Sequence, residues 1–256
     1  VTEVDSSYLE GIVAYYDFNA LRPTNAYNED QRAVKRTNGT GKSVTVETDN
    51  VRPDKFFHQY FGSNGNCSFT QFNNPLYDSE LEDGLTISFW LKMNEENLWD
   101  AIFSFFNSTS KERLYMTGNA YFGYNNDAGN WIDINHPSKK TTGYLSSGKW
   151  QLITITLSRT KGLTLYVNGS RKGNNNYSYS GSQNGNNIST YSGFDYNEII
   201  DFIQSCKFFY FGYGSFWGSA DICFDDLLIY NKVMTYSEVQ NLKKMCNRIT
   251  NFAAGE

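Results

Sequence analysis

Alternation of apolar and polar residues is the main structural signal in the chain. In Leu85–Met93 every odd position is apolar, which predicts a β-strand with one buried face. The opposite face of that strand is polar except for Trp90. The same alternation occurs in Ile153–Ser158 and Leu163–Val167, and the short segment Arg159–Gly162 separates them. A connection of this length that contains glycine predicts a β-hairpin.

Other segments have strand character of the same kind, and no long helical period competes with them. Further strands are predicted at Gly11–Phe18, Ser43–Glu47, Asn66–Phe72, Ala101–Phe106, Arg113–Thr117, Tyr121–Asn125, Trp131–Ile134, Lys207–Tyr213 and Ala220–Tyr230. Strands with one buried and one polar face are typical of antiparallel sheets. A dozen such strands joined by long loops predict an all-β fold, a two-sheet antiparallel β-sandwich closed as a jelly roll. In a jelly roll the first and last strands lie close together.

Helical structure is predicted mainly near the end of the chain. The segment Thr235–Lys244 begins with Thr235 and Glu238 at capping-box spacing, and Met234 can pack on Val239. Asn197–Ile203 is expected to add a helical turn. Asn174–Ser192 is rich in Asn, Ser, Gly and Tyr, and its length and polarity predict either an ordered functional loop or a mobile one. Neither a repeat nor a shift in composition marks a boundary, so residues 1–256 are predicted to form a single domain.

Composition narrows the class of protein. Aromatic residues make up 17% of the 256 residues, which excludes a disordered chain. The net charge is −5 and no block of Lys and Arg occurs, so nucleic acid and anionic membranes are not expected partners. No apolar run approaches the roughly 20 residues of a membrane span. The chain begins at Val1 without a signal-peptide pattern, so any export signal or lipid anchor is expected to lie outside it.

Four well-separated cysteines allow two interpretations. No CxxC pair occurs and the only histidines are His58 and His136, so a zinc site is not predicted. If disulfides form, the favoured pairs are Cys223–Cys246 and Cys67–Cys206. The alternative is that all four are free thiols packed as small core residues.

Five segments together resemble the laminin-G-like branch of the concanavalin A-like lectin/glucanase superfamily. They are Gly11–Phe18, Asp83–Lys92, Gly148–Thr154, Leu165–Gly169 and Asp225–Thr235. The resemblance covers nearly the whole chain, and the last two segments are its most distinctive motifs. It implies a β-sandwich, often a bound calcium ion, and a binding or accessory role. Because a fold does not settle function, the candidate residues need separate arguments.

A narrower resemblance concerns the central run from Trp99 to Pro137. This run is similar to surface proteins of gut bacteria that gather polysaccharides. The resemblance therefore implies an exported or cell-surface protein that has a glycan partner and carries further domains.

Catalysis is not predicted. Retaining glycosidases need two carboxyl groups about 5–5.5 Å apart. The acidic cluster Glu80–Asp83 has the character of a turn, and no Glu accompanies Asp225 and Asp226 at a spacing that would place two acids on one strand face. The Arg, Gln-x-His and Tyr motifs of lyases with this fold are absent, and no nucleophile elbow surrounds any Ser.

Carbohydrate binding is the leading functional prediction. Aromatic rings can stack on the C–H faces of sugars, and side-chain amides and carboxylates can bind sugar hydroxyls. Tyr121–Trp131 is rich in both kinds of group. The predicted carbohydrate-binding residues are Trp99, Tyr124, Asn125, Asp127, Trp131, His136, Tyr213 and Trp217. Core packing is the alternative role for the aromatic residues, and turn formation is the alternative for Asn125 and Asp127.

The resemblance also implies a structural calcium site. It suggests that an Asp of the first strand and an Asp of the last strand share one ion, and Asp17, Asn19, Asp225 and Asp226 stand at the matching positions. Calcium prefers six to eight oxygen ligands of this type. The alternative is that Asp225 and Asp226 only accept hydrogen bonds in the sheet. The alternative function for the whole chain is an adhesion or spacer module that contacts protein, and a third is a hydrolase or lyase with an unrecognised site.

Overall fold

The computed structural model describes residues 6–63, 65–94, 99–107, 112–118, 120–126, 131–133, 144–174, 181–183, 186–188, 195–213 and 218–253. The first secondary-structure element is a 3-10 helix at Ser6–Leu9. The strands are β1 Ile12–Tyr16, β2 Thr24–Asn25, β3 Asn28–Thr37, β4 Thr45–Glu47, β5 Phe56–Gln59, β6 Ser68–Asn73, β7 Gly84–Met93, β8 Ala101–Phe106, β9 Arg113–Thr117, β10 Phe122–Asn125, β11 Trp131–Asp133, β12 Trp150–Ser158, β13 Gly162–Val167, β14 Ser170–Asn174, β15 Gly181–Gln183, β16 Asn186–Ile188, β17 Phe208–Phe211 and β18 Ile222–Tyr230. The helices are α1 Tyr196–Ser205 and α2 Tyr236–Ala253.

The strands form two antiparallel sheets that pack face to face, which confirms the predicted sandwich. The eight-stranded sheet has the order β14-β13-β12-β7-β18-β5-β4, with β1 also paired to β18. The ten-stranded sheet has the order β16-β15-β11-β10-β9-β8-β17-β6-β3-β2. Ile12 pairs with Tyr230 and Tyr16 pairs with Leu227, so the first long strand lies beside the last one, as predicted. The hairpin between β12 and β13 is also confirmed, and Gly162 adopts a φ of 73° at its turn.

The interior between the sheets is built largely from aromatic rings. Phe211 and Phe224 stack with their centroids 4.4 Å apart, and Phe72 and Phe209 stack at 4.7 Å. Phe89 contacts Phe211 edge to face at 4.9 Å. These residues belong to one continuous cluster that the inner faces of both sheets and α1 form. A large part of the aromatic content therefore stabilises the sandwich itself.

A second, smaller core lies on the outer side of the eight-stranded sheet, where α2 covers it. Trp90, Leu152 and Tyr166 of the sheet pack against a group that includes Val239 and Leu242 of the helix. Trp90 interrupts the polar face of β7 because this part of the face is covered by the helix and not by water. The capping box of α2 is confirmed: the Glu238 N–H donates to Thr235 Oγ1 at 3.3 Å, and the Thr235 N–H donates to Glu238 Oε2 at 2.7 Å.

The cysteine pairing favoured above is wrong, and the alternative is what the structure has: Cys67, Cys206, Cys223 and Cys246 are free and buried. The four thiols lie in different packing environments. Cys223 is next to Asn94, whose Nδ2 lies 3.4 Å from its Sγ, whereas Cys246 packs beneath α2. The neighbour of the Cys67 thiol is Ser219, and Cys206 follows the end of α1. Neither helix in the described part combines the length and hydropathy of a membrane-crossing segment.

His58 links three parts of the eight-stranded sheet. Its Nδ1 lies 2.9 Å from Glu47 Oε1 of β4, and its Nε2 lies 2.8 Å from Asp221 Oδ1, just before β18. Burial acts to lower the pKa of His58, but the hydrogen bonds and charges of Asp221 and Glu47 outweigh it and raise the pKa. The doubly bonded imidazolium is therefore the favoured form in the folded chain.

We expect the stability of the protein to fall as the pH rises from 6 to 9, in part because His58 loses its proton. The folded-state pKa is above the unfolded value of about 6.5. The stabilisation is therefore complete below about pH 6.5 and is lost as the pH rises through the folded-state pKa. Urea unfolding of the wild type and of His58→Gln at several pH values measures this dependence. The difference in unfolding free energy between the two proteins should shrink with rising pH, and a constant difference would contradict the assignment.

Candidate functional site

The outer face of the ten-stranded sheet carries aromatic rings that the core does not use. Successive strand residues point to opposite faces, so Phe72 and Phe209 enter the core while Phe69 and Tyr210 point outward. The outward rings define what we call the aromatic face. Its residues are Phe69, Trp99, Phe106, Tyr115, Tyr121, Tyr210 and Tyr213.

Four of these rings form a continuous group. Phe69 stacks on Tyr213 with the centroids 4.4 Å apart, and Phe106 stacks on Tyr210 at 4.7 Å. Phe106 and Tyr213 join the two pairs at 5.1 Å. Ser104 fixes the backbone beneath them, because its hydroxyl donates to the carbonyl oxygen of Tyr213 at 2.7 Å. Phe106, Tyr210 and Tyr213 are only partly buried, so an edge or face of each remains accessible.

The other three rings continue the aromatic face toward the start of β8. Trp99 contacts Tyr121 and Tyr121 contacts Tyr115, each with centroids 6.0 Å apart. Trp99 is 52% exposed, whereas Tyr115 and Tyr121 are buried beneath their surroundings. Gly123 allows this arrangement, since a Cβ there would lie 2.2 Å from the Tyr115 hydroxyl oxygen. The Trp99 indole is thus partly exposed to solvent and packs on buried tyrosine rings.

A cavity of about 550 Å³ lies on the other sheet, and one of about 380 Å³ adjoins the four-ring group. The smaller one combines aromatic walls with polar side chains that can hydrogen-bond to a ligand. Its lining residues are Phe106, Asn107, Ser205, Cys206, Lys207, Phe208 and Tyr210. This combination suits a ligand with both flat apolar faces and hydroxyl groups.

The structure brings part of the predicted binding set to this face. Trp99 and Tyr213 belong to it, and Asn125 is a half-buried residue of β10 in register with Arg113, which pairs with Phe106. Trp131 is described only as the first residue of β11, opposite Asn125. Asp127, His136 and Trp217 lie outside the described residues.

Tyr124 was predicted to bind carbohydrate, and here the structure differs. It lies on a strand, as predicted, but the alternation of β10 turns its ring into the core, where it is fully buried. Its hydroxyl donates to Glu112 Oε1 at 3.1 Å. Three rings of the aromatic face were not predicted, namely Phe69, Phe106 and Tyr210. Runs such as Lys207–Phe211 are aromatic at almost every position, and only the register shows which rings point outward.

Two of the four residues predicted to hold calcium, Asp225 and Asp226, bind an arginine. Arg52, which lies between β4 and β5, donates from Nε and Nη2 to Asp225 Oδ2 at 2.9 and 2.6 Å, and from Nη2 to Asp226 Oδ2 at 2.5 Å. Tyr15 donates its hydroxyl to the other oxygen of Asp226 at 2.9 Å. Asp17 is exposed and its carboxylate accepts the N–H of Asn19 at 3.1 Å.

A bulge in β18 makes this cluster possible. Asp226 has a φ of 47°, and the register with β7 shifts between Asp225 and Leu228, so neighbouring carboxyl groups reach the same guanidinium. The guanidinium also lies 5.1 Å from the ring centroid of Trp90 and 5.3 Å from that of Trp150. Burial and the charge of Asp226 raise the pKa of Asp225, and Arg52 opposes that rise.

This donor set does not fit a calcium ion as it stands, because Arg52 already occupies the space between the two carboxylates. Among the described residues, no group of three or more His, Cys, Asp and Glu side chains is placed to hold a metal ion. Calcium binding at Asp17, Asn19, Asp225 and Asp226 therefore remains a prediction without structural support, and it would require Arg52 to leave.

We expect Arg52→Met to destabilise the protein by about 3–5 kcal/mol, because it leaves two buried carboxyl groups without their cation. Arg159→Met is the matched control, since Arg159 pairs with the exposed Asp201, and such a pair contributes about 0–1 kcal/mol. Chemical unfolding of both variants measures the difference. A loss of unfolding free energy in Arg52→Met no larger than that in the control would contradict the role of Arg52. A large rise in the melting temperature of the wild type on addition of calcium would support the metal site instead.

Comparison with solved structures shows the same fold in proteins of distant sequence. Domain 4 of AbnA, an extracellular GH43 arabinanase of Geobacillus stearothermophilus in complex with arabinotriose, superimposes with a TM-score of 0.58 and 15% identity, covering 91% of this chain and 98% of that domain. The binding domain of botulinum neurotoxin serotype D gives a TM-score of 0.55 and 16% identity, covering 95% of this chain. This chain spans 53% of the neurotoxin binding domain. The binding domain of neurotoxin DC in complex with SialylT gives 0.53 and 18%, covering 93% of this chain and 52% of that domain.

No curated protein matches the sequence significantly. A family model of the concanavalin A-like lectin/glucanase superfamily matches residues 61–240, which include most strands of both sheets and the start of α2. The matched residues include the motifs on β7, β13 and β18. The chain therefore belongs to the concanavalin A-like lectin/glucanase superfamily.

Proposed function

We propose that this protein binds a polysaccharide, without cleaving it, along the aromatic face. The observation that carries the proposal is the set of seven outward rings on one sheet, with the half-exposed Trp99 at one end and the cavity of about 380 Å³ at the other. Pyranose and furanose rings have apolar C–H faces that pack on such rings, and their hydroxyls need hydrogen-bond partners. Asn107, Lys207 and Asn125 are placed to supply them.

The length of the aromatic face favours a chain over a single sugar. Trp99 lies two residues before β8 and Phe106 is its last residue, so they are seven residues apart in sequence, which corresponds to roughly 23 Å for an extended chain. A monosaccharide could contact only one of the two ends. The arabinanase domain in complex with arabinotriose supports a saccharide ligand for this fold, although it is a distant relative.

The arrangement of acidic residues supports a binding role without catalysis. A retaining glycosidase would present two carboxyl groups about 5 Å apart to the sugar. Asp225 and Asp226 instead bind Arg52 on the other sheet, and the carboxylates Glu112 and Glu198 accept hydrogen bonds from the buried Tyr124. The extracellular arabinanase among the relatives supports an exported or cell-surface protein, in which this domain would bring other parts of the protein to a glycan.

Replacement of Trp99 tests the proposal. Electrophoresis through gels that contain single polysaccharides, such as arabinan, xylan, pectin or starch, should show retention on at least one of them. Trp99→Ala should weaken that retention about tenfold, because it removes the open stacking surface and leaves the sheet intact. Tyr27→Ala is the matched control, since Tyr27 is 51% exposed but does not belong to the aromatic face.

Other outcomes would distinguish the alternative functions. An equal loss of retention in Trp99→Ala and Tyr27→Ala, or retention of Trp99→Ala at the wild-type level, would contradict a site on the aromatic face. Absence of retention on every polysaccharide by the folded protein would favour an adhesion module that contacts protein. Release of oligosaccharides over time from any of the polymers would show an enzyme.

A further inference from the structure

A groove lies on the eight-stranded sheet, on the side of the sandwich away from the aromatic face. It has a volume of about 550 Å³ and lies between the hairpin β12–β13, the edge strand β14 and the start of α2. Its lining residues are Asp83, Thr156, Ser158, Lys161, Gly162, Thr164, Tyr166, Arg171, Val233, Met234, Thr235 and Tyr236. Hydroxyl groups, two tyrosines and charged side chains thus surround a space of about the size of a disaccharide.

The floor of the groove carries two threonine side chains. Thr156 and Thr164 are directly paired across β12 and β13. Both residues line the groove, and Thr156 is 4% exposed. Their hydroxyl groups can donate or accept a hydrogen bond, so they offer polar partners to a ligand hydroxyl.

One end of the groove is positive. Arg171 of β14 pairs in register with Tyr166, and the Tyr166 and Tyr236 rings have their centroids 6.3 Å apart. Tyr236 is the first residue of α2 and lines the groove, so the positive end of the helix dipole lies near this end. The planar guanidinium of an arginine matches a carboxylate in two parallel hydrogen bonds.

The opposite end carries a carboxylate. Asp83 accepts the Ser158 hydroxyl on both of its oxygens, each at 3.0 Å, and retains acceptor capacity toward the groove. Ser158 pairs with Gly162, four residues from Tyr166 along β13, so the two ends are separated by roughly 13 Å. Lys161 is exposed and also lines the groove.

We propose that this groove is a second saccharide site, which binds a short acidic sugar with its carboxylate at Arg171 and its free hydroxyls at Asp83. Tyr236, which is 58% exposed, offers a stacking surface for the ring that carries the carboxylate. Thr156 and Thr164 would hydrogen-bond to the ligand between the two ends. Asp83 would repel a carboxylate at its own end, so the ligand has one favoured orientation. The site is independent of the aromatic face.

The matched ligands D-glucuronic acid and D-glucose, which differ only in the carboxylate, test the charge preference. Titration of the isotope-labelled protein followed by NMR should shift backbone resonances of β13, β14 and the start of α2, and glucuronic acid should bind about tenfold more tightly than glucose. Arg171→Gln should remove that preference, and Tyr236→Ala should weaken both sugars. Lys172→Gln is the matched control, because it removes an exposed positive charge next to Arg171 that does not line the groove.

The two proposals fail separately. Trp99→Ala should leave glucuronic acid binding unchanged, and Arg171→Gln should leave retention on neutral polysaccharides unchanged. An equal loss of affinity for glucuronic acid in Arg171→Gln and Lys172→Gln would mean that net charge alone attracts the sugar, and this result would overturn the site. Equal affinity for the two sugars in the wild type, or the absence of shifts near the groove at high millimolar sugar, would also overturn it.

Discussion

Phe211 of the ten-stranded sheet and Phe224 of the eight-stranded sheet lie ring on ring, 4.4 Å apart, where the two sheets meet. Around them the inner faces bury Phe57, Phe72, Phe89 and Phe209 in the same cluster. Burial of large rings dominates the stability of such a core, and it fixes which side of every strand points inward. A slip of one residue in β17 would exchange Phe209 and Phe211 for Phe208 and Tyr210. The contents of both outer surfaces therefore depend on this packing.

The outer faces of the two sheets differ in what covers them. The eight-stranded sheet is covered by α2, by the Arg52 cluster and by the bridge that His58 makes, so its polar groups are mostly engaged with one another. The ten-stranded sheet has aromatic rings in the equivalent position, several of which remain partly accessible. An aromatic ring exposed to water contributes little to the stability of the fold. A partner with apolar faces therefore explains the presence of these rings better than folding stability does.

Much of the fold could be predicted from the sequence, because one-sided burial leaves a period of two along β7, β12 and β13. The strands that were missed lack that signal. β3 is a polar strand next to the short edge strand β2, and β5 is buried at three of its four positions, so neither alternates. β15 and β16 lie inside the Asn-rich segment that was expected to be a loop. α2 runs on to Ala253, beyond the predicted Lys244, because no Gly or Pro intervenes to stop it.

The candidate site was harder to predict, for reasons that are physical. Trp99 and Tyr213 could be found because their loop contexts predicted exposure, but adjacent residues such as Tyr124 and Asn125 face opposite ways and no composition rule separates them. The Arg52 cluster could not be predicted for a different reason, which is the separation of its members in the sequence. Arg52 is more than 170 positions from Asp225 and Asp226 in sequence, and only the bulge at Asp226 lets both carboxyl groups reach one guanidinium.

The four buried thiols, which form no disulfide, can report where the fold opens. Burial raises the pKa of each thiol, to about 12 for Cys206 and Cys246 and about 11 for Cys223, so the reactive thiolate is scarce in the folded chain. An alkylating reagent would therefore modify a given cysteine only while its surroundings are open. Because the four positions sample β18, α2, the approach to β6 and the end of α1, the order in which they are labelled would trace the route by which the sandwich comes apart.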